Sequence, residues 1–236
     1  MAQKRPSDIA EVYPEREDSR LLARFARPRP GDDVLEIGCG RGLASLAAAR
    51  HGAHLVVATD LNVSALRALL RRARAENLPL DVLRTDLAAG VRRFDLILSN
   101  PPYLPTSVHE RDPDPWEDLA LNGGPDGCRV TARILRTLPG HLTPRGQAYL
   151  LVSSLQFQAR LKQLRHRWIE RGGRCRTVAR EQWGTETLSI WCLSRAPRRT
   201  ARSTRGTGGR RRALPRRPSE SSRDAGPGRT SAPDGA

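Results

Sequence analysis

Leu35-Glu36-Ile37-Gly38-Cys39-Gly40-Arg41-Gly42 reads as the end of a buried strand, an acid on that strand, and three glycines at alternate positions. Glycine accepts backbone conformations closed to other residues and lets a ligand come close to the main chain. The run that leads in, Asp33 to Ile37, has the length and apolar content of a strand covered on both faces. Leu43 to His51 follows as an alanine-rich helix. A strand, a glycine turn and a helix in that order are the first unit of an open α/β sheet.

Working outward, the same alternation continues. His54–Thr59 is a second strand, Asn62 is a plausible cap for a helix to about Asn77, Leu80–Arg84 is a third strand and residues 94–98 a fourth. Upstream, Asp18–Arg27 reads as a short helix ended by Pro28 and Pro30. Downstream, residues 101–125 read as a long loop, Asp126–Leu138 as a helix, Gln147–Ser153 as a fifth strand and Gln156–Arg171 as a helix. Arg174–Ala179 and Glu186–Leu193 are joined so directly that they predict an antiparallel hairpin. The expected fold is α/β: a Rossmann-like, seven-stranded, mostly parallel sheet with helices on both faces and a C-terminal antiparallel hairpin. Ligands of such sheets bind at the carboxyl ends of the strands.

Polar residues gather at those ends. G-x-G-x-G differs from the dinucleotide fingerprint, and Glu36 would repel a pyrophosphate while favouring an ammonium group. That points away from a nicotinamide dinucleotide and towards S-adenosylmethionine, with Gly38 and Gly40 beside the ligand. Asp60 ends the second strand, placed for ribose hydroxyls or for helix capping with Asn62. Asp86 follows the third strand, placed to accept from an adenine amino group. Asn100-Pro101-Pro102-Tyr103 follows the fourth. Prolines lack the N–H a central strand needs, so the strand stops there. The loop then presents a carboxamide oxygen and a proline carbonyl, two acceptors that together can hold both hydrogens of an –NH2 group.

The chain has 236 residues, a net charge of +16 and a pI of about 11.3. The charge is uneven: residues 195–236 hold twelve Arg against Glu220, Asp224 and Asp234. That tail has one leucine and no aromatics, so it is expected to be disordered. Its basicity fits either nonspecific nucleic-acid contact or the Arg-rich composition of a GC-rich genome. The domain is therefore expected over 1–194, with a disordered Arg-rich tail over 195–236. Cys39, Cys128, Cys175 and Cys192 form no C-x-x-C pair, and the five His lack ligand spacing, so no metal is expected. No apolar stretch reaches a membrane span and the first residues lack the apolar core of a signal peptide. A cytoplasmic protein with no membrane partner is expected.

Glu36-Ile-Gly-Cys-Gly-Arg-Gly42, Asp60 and Asn100-Pro-Pro-Tyr103 together resemble the HemK-type class I methyltransferases. Gly123-Gly124-Pro125-Asp126-Gly127 is similar to the family's G-G-x-[DN]-G loop, and two further stretches resemble its short eukaryotic and archaeal branch. Val12-Tyr13-Pro14-Glu15-Arg16-Glu17-Asp18-Ser19 is similar to its V-Y-x-P-x-E-D-[ST] opening, one residue shorter around Pro14. Gly184-Thr185-Glu186-Thr187-Leu188-Ser189 is similar to that branch's last strand. The resemblance spans about residues 12–194. It implies methylation, from S-adenosylmethionine, of the glutamine in the Gly-Gly-Gln motif of a peptide chain release factor. It implies cofactor contacts from Ser19, Glu36, Gly38, Asp60, Asp86, Leu87 and Asn100. It implies a grip on the substrate amide by Asn100, Pro101 and Tyr103, with Pro102 in the same loop. It also implies a small zinc-binding activator subunit as partner. The N-terminal helical domain of the bacterial release-factor enzymes is absent from this sequence.

Adenine and guanine amines are also planar –NH2 groups, so a nucleic-acid methyltransferase is the alternative, with flipped bases entering the same pocket. A binding module with vestigial chemistry is a third reading, disfavoured because each motif position is intact.

Overall fold

Residues 17–196 are described in a computed structural model of the chain. The opening motif up to Arg16, including Tyr13, and the tail from Pro197 onward lie outside the described residues. The elements run α1 (Glu17–Ala23), β1 (Asp33–Ile37), α2 (Leu43–Arg50), β2 (Leu55–Asp60), α3 (Val63–Ala75), β3 (Leu80–Arg84), β4 (Phe94–Ser99), α4 (Pro115–Leu121), α5 (Arg129–His141), β5 (Leu142–Ser153), α6 (Gln158–Glu170), β6 (Gly173–Trp183) and β7 (Glu186–Arg195).

The strands form one sheet in the order β3-β2-β1-β4-β5-β7-β6. Pairs from β3 across to β5 are parallel, and β7 is antiparallel to both β5 and β6. The seven-stranded, mostly parallel sheet with a terminal hairpin is thus as expected. The chain winds outward through β1, β2 and β3, then returns to place β4 beside β1. That reversal opens a crevice at the carboxyl ends of β1 and β4.

Alternation along the strands divides the core in two. Val34, Leu96 and Leu98 face α1, α2 and α3, whereas Leu35, Ile37 and Ile97 face α5 and α6. Leu35, Ile37, Ile97 and Leu98 are at most 1% exposed. Each such side chain contributes roughly 1.5–3 kcal/mol by leaving water. Glu36 lies between Leu35 and Ile37 in sequence, so it points to the opposite face, beneath α2. Trp168 and Trp191 are core residues.

Several boundaries differ from the sequence reading. The long loop over 101–125 contains α4, which Asp114 caps by accepting from Trp116 and Glu117 N–H groups, with Pro115 in the first turn. The next helix begins at Arg129, three residues late. Gly127 is held at φ 68°, and the Asp126 carboxylate accepts from Cys128 N at 2.8 Å. Strand β5 starts at Leu142 and β6 runs on to Trp183, both longer than expected. Helix α1 stops at Ala23, where the Phe25 and Ala26 N–H groups turn back onto Leu22 and Ala23.

Candidate active site

Strands β1 and β4 end level with each other, Ile37 opposite Ser99, and the Ser99 hydroxyl donates to the Ile37 carbonyl at 2.8 Å. The glycine loop and the Asn-Pro-Pro-Tyr loop therefore leave the sheet side by side. Between them lies a cavity of about 590 Å³. That is within the range of small-molecule sites, roughly 300–1,000 Å³. Ser19, Glu36, Gly38, Gly40, Asp60, Asp86, Leu87, Asn100, Pro101, Pro102 and Tyr103 all line it. The residues singled out in the sequence are thus brought to one place.

The three glycines of the first loop differ in kind. All have positive φ, 70° at Gly38, 49° at Gly40 and 70° at Gly42. A Cβ on Gly38 or Gly40 would meet nothing within 4 Å, so both present bare backbone to open space. A Cβ on Gly42 would strike Leu69 of α3 at 2.4 Å. Gly42 is a packing glycine. The loop's amides are anchored elsewhere: Gly38 N and Cys39 N donate to the Thr59 carbonyl, and Gly40 N donates to Asp60 Oδ2 at 2.8 Å.

Glu36 is 5% exposed. Its Oε2 accepts from Ser45 N at 2.7 Å and from the Ser45 hydroxyl. Burial pushes its carboxyl up to about 7; the Ser45 bonds oppose that rise and the charge of Asp60 adds to it. A buried acid with that balance is suited to a cation. Asp60 accepts at Oδ1 from Asn62 N at 2.9 Å, while Asn62 itself caps α3 through Ser64 N and Ala65 N. The capping role falls to Asn62, and Asp60 braces the glycine loop at the cavity wall.

Asp86 lies two residues past β3 and pairs with Arg133 of α5 at 2.6 Å, both side chains about half exposed. Next to it Leu87 has φ 55°, unusual for a leucine. Thr59 on β2 holds this turn by donating its hydroxyl to the Leu87 carbonyl at 2.7 Å. A left-handed leucine on a cavity wall marks a backbone that its surroundings dictate.

In the second loop, Asn100 donates through Nδ2 to Asp18 Oδ2 at 2.9 Å. Its Oδ1 is the one buried side-chain nitrogen or oxygen among the described residues with no hydrogen-bond partner. Most buried polar groups are satisfied, so such an acceptor at a cavity wall fits a donor from a ligand. The Gly-Gly-Pro-Asp-Gly loop supports Asn-Pro-Pro-Tyr from behind. Gly123 N donates to the Leu104 carbonyl and Thr106 N to the Gly124 carbonyl, both at 2.9 Å. A Cβ at Gly127 would lie 2.4 Å from the Tyr103 carbonyl, so only glycine fits there.

Sequence reasoning missed four residues of the site. Asp18 stood beside Ser19 in the opening motif and was passed over. Buried Gln156 clamps the supporting loop, donating to the Gly127 carbonyl at 2.8 Å and to Thr131 at 3.0 Å. Arg111 bonds buried Asp118 at 2.7 Å and lines the cavity; its guanidinium holds the Asp118 carboxyl below the usual carboxylate range. Arg133 is the fourth. Gln156, Arg111 and Arg133 carried no local motif, and Asp18 acts on Asn100, 82 positions away, so each role depends on a residue distant in sequence or on another element. Within the loop over 101–125, Trp116 lines the cavity, whereas Asp112, Asp114 and Glu117 do not.

Residues 17–112 match the methyltransferase small domain family. A candidate protein N5-glutamine methyltransferase of Methanocaldococcus jannaschii is 40% identical over 146 residues, 61% of this chain and 74% of that one. Methyltransferase HEMK2 of Homo sapiens is 30% identical over 195 residues, 77% of this chain and 89% of that one. Among solved structures, a chain of the E. cuniculi Mtq2–Trm112 complex, described as responsible for methylating the eRF1 translation termination factor, superposes with a TM-score of 0.61. It is 26% identical, over 79% of this chain and 99% of that one.

Proposed function

This chain belongs to the HemK-type class I methyltransferases and is S-adenosylmethionine-dependent, and from that premise we propose that it methylates the side-chain amide of a glutamine, the one in the Gly-Gly-Gln motif of a peptide chain release factor. The observation that carries the reading is the unpartnered, buried Oδ1 of Asn100 at the cavity wall. It has the chemistry to receive an amide N–H. The names of the relatives support glutamine as the residue modified, and the eRF1 activity of the Mtq2 complex supports the release factor. That same complex supports a small activator subunit as a partner here.

When bound, S-adenosylmethionine supplies a methyl group on a positively charged sulfur. Glu36 suits its ammonium group, Asp60 its ribose hydroxyls, and Asp86 with Leu87 its adenine edge. Gly38 and Gly40 give it room against the backbone, and Ser19 closes the wall near Asp18. The chain's own part in the reaction is to hold the acceptor. An amide nitrogen is a poor nucleophile because its lone pair is delocalised into the carbonyl. Asn100 Oδ1 and the Pro101 carbonyl each accept one N–H, which fixes the nitrogen and favours a pyramidal geometry with a localised lone pair. Pro102 keeps the loop rigid, and Tyr103 lies against the flat amide. Catalysis is thus positioning and electrostatics. The nitrogen's proton leaves after the methyl has arrived, so no strong general base is required.

We assign the methyltransferase domain to 1–194 and the Arg-rich tail to 195–236, and β7 runs one residue past that boundary, to Arg195. The tail's charge supports loose contact with nucleic acid. No helix among the described residues is long and apolar enough to cross a membrane.

The test offers radiolabelled S-adenosylmethionine with purified release factor, ribosomal RNA and DNA in parallel. Label is expected on the release factor and is expected to vanish when the Gly-Gly-Gln glutamine is replaced. Label on RNA or DNA alone would establish the nucleic-acid alternative instead.

A further inference from the structure

We propose that Asp18 is a positioning residue that dictates which way the Asn100 side-chain amide faces. The inference rests on the reading of Asn100 as acceptor of the substrate N–H. A carboxamide has an oxygen and an –NH2 of nearly equal size, and its neighbours decide the orientation. Only one orientation is useful here, because an –NH2 turned to the cavity would set donors against the donors of a substrate amide.

Asp18 supplies the bias. It sits in the first turn of α1, is 5% exposed, and lines the same cavity as Asn100. Leu21 and Leu22, each 1% exposed, anchor that helix in the core. An ionised carboxylate only accepts. Its Oδ1 is taken by Ser19 N at 2.6 Å and by the Ser19 hydroxyl at 3.2 Å. Its Oδ2 accepts Asn100 Nδ2 at 2.9 Å, a bond strengthened by the charge. Turning Asn100 over would press its oxygen against a carboxylate oxygen. The amide is therefore held with Oδ1 towards the cavity, where it is buried and unpartnered. The two residues are 82 positions apart in the chain.

The experiment uses the full-length chain with whichever acceptor takes label in the parallel assay. In Asp18→Asn, the two Ser19 donors keep an oxygen on their side, so the new –NH2 faces Asn100. Asn100 can bond it only by turning over. The expected result is kcat reduced about 100-fold or more, the scale of losing one positioned polar group, with cofactor affinity by calorimetry within about threefold of wild type. Adding Asn100→Asp to Asp18→Asn gives residue 100 two oxygens, one to accept from the new –NH2 at position 18 and one to face the cavity again. It is expected to recover about tenfold or more over Asp18→Asn alone. A readout independent of turnover is the Asn100 side-chain amide pair in a ¹H–¹⁵N spectrum, whose bonded proton shifts in Asp18→Asn. The proposal is overturned if Asp18→Asn turns over like wild type, if it loses cofactor affinity as steeply as kcat, or if the paired substitution recovers nothing. Near-wild-type turnover of Asn100→Ala would instead remove the reading of Asn100 itself, so the two failures are distinguishable.

Discussion

The glycine loop after β1 and the Asn-Pro-Pro-Tyr loop after β4 leave adjacent strands at the same level, yet they are built on opposite principles. The first places bare backbone at Gly38 and Gly40 on the cavity wall, and the Gly38, Cys39 and Gly40 amides are already bonded to β2 and Asp60. It makes space. The second presents a side-chain acceptor that nothing in the fold satisfies, on a loop stiffened by prolines and pressed against Gly127. It offers chemistry. A site for two molecules is thus divided between a loop that yields room and one that withholds a hydrogen bond until a ligand arrives.

The division can be broken or sharpened by substitution. The largest effect is expected from Asn100→Ala, with kcat falling about 10²–10³-fold, roughly 3–4 kcal/mol, while cofactor affinity stays within a few-fold. Steady-state kinetics beside calorimetry would check this; equal losses in both would erase the distinction between the loops. Next comes Gly127→Ala, which adds a methyl 2.4 Å from the Tyr103 carbonyl at a positive φ. It should destabilise the protein by about 1–3 kcal/mol, from overpacking and backbone strain together, and lower turnover with it. A denaturant titration with an unchanged midpoint would mean that the supporting loop gives way freely. Asp60→Ala probes the other loop, which Asp60 braces from the end of β2. It should weaken cofactor binding about 10–100-fold, the scale of a bond to a charged group, with little change in kcat at saturating cofactor.

The smallest effect is a pH dependence. The Glu36 carboxyl, ordinarily near 4.5, titrates at about 7 in the folded chain because it is buried. The folded state thus binds this proton more tightly than the unfolded one. Its stabilising contribution is complete below the unfolded value and is lost as pH rises through about 7. A cation bound at Glu36 must expel the proton below that value. Cofactor affinity should therefore climb with pH by at most about tenfold per unit and level off above about 7. Calorimetry in buffers of differing ionisation enthalpy would register the released proton; a flat profile from about pH 5.5 to 8 would detach Glu36 from the ammonium site.

Much of this was legible in the chain because it is local. The strand from Asp33 to Ile37, the glycines after it, the Asn62 cap and the stop at Pro101 each depend on residues a few positions apart. Helix α4 was legible too, in Asp114-Pro115, but was lost among the polar residues of its loop. The separate jobs of Gly38, Gly40 and Gly42 were not, since only the position of Leu69 on α3 tells a packing glycine from an open one. The pairing of Asp86 with Arg133 was also beyond local reading, because it joins the turn after β3 to α5.

By itself, then, the sequence determined the order of strands and helices, the places where they stop, and the residue types gathered at the strand ends. Backbone conformation and hydrophobic alternation act over a few residues, and they suffice for that. Only the tertiary structure decided that Asp18 meets Asn100, that Gln156 braces Gly127, and that the oxygen of Asn100 is left waiting. Those are statements about which hydrogen bonds are made and which are not. A donor and an acceptor far apart in the chain become partners only when the packing of α1 and the sheet brings them within about 3 Å.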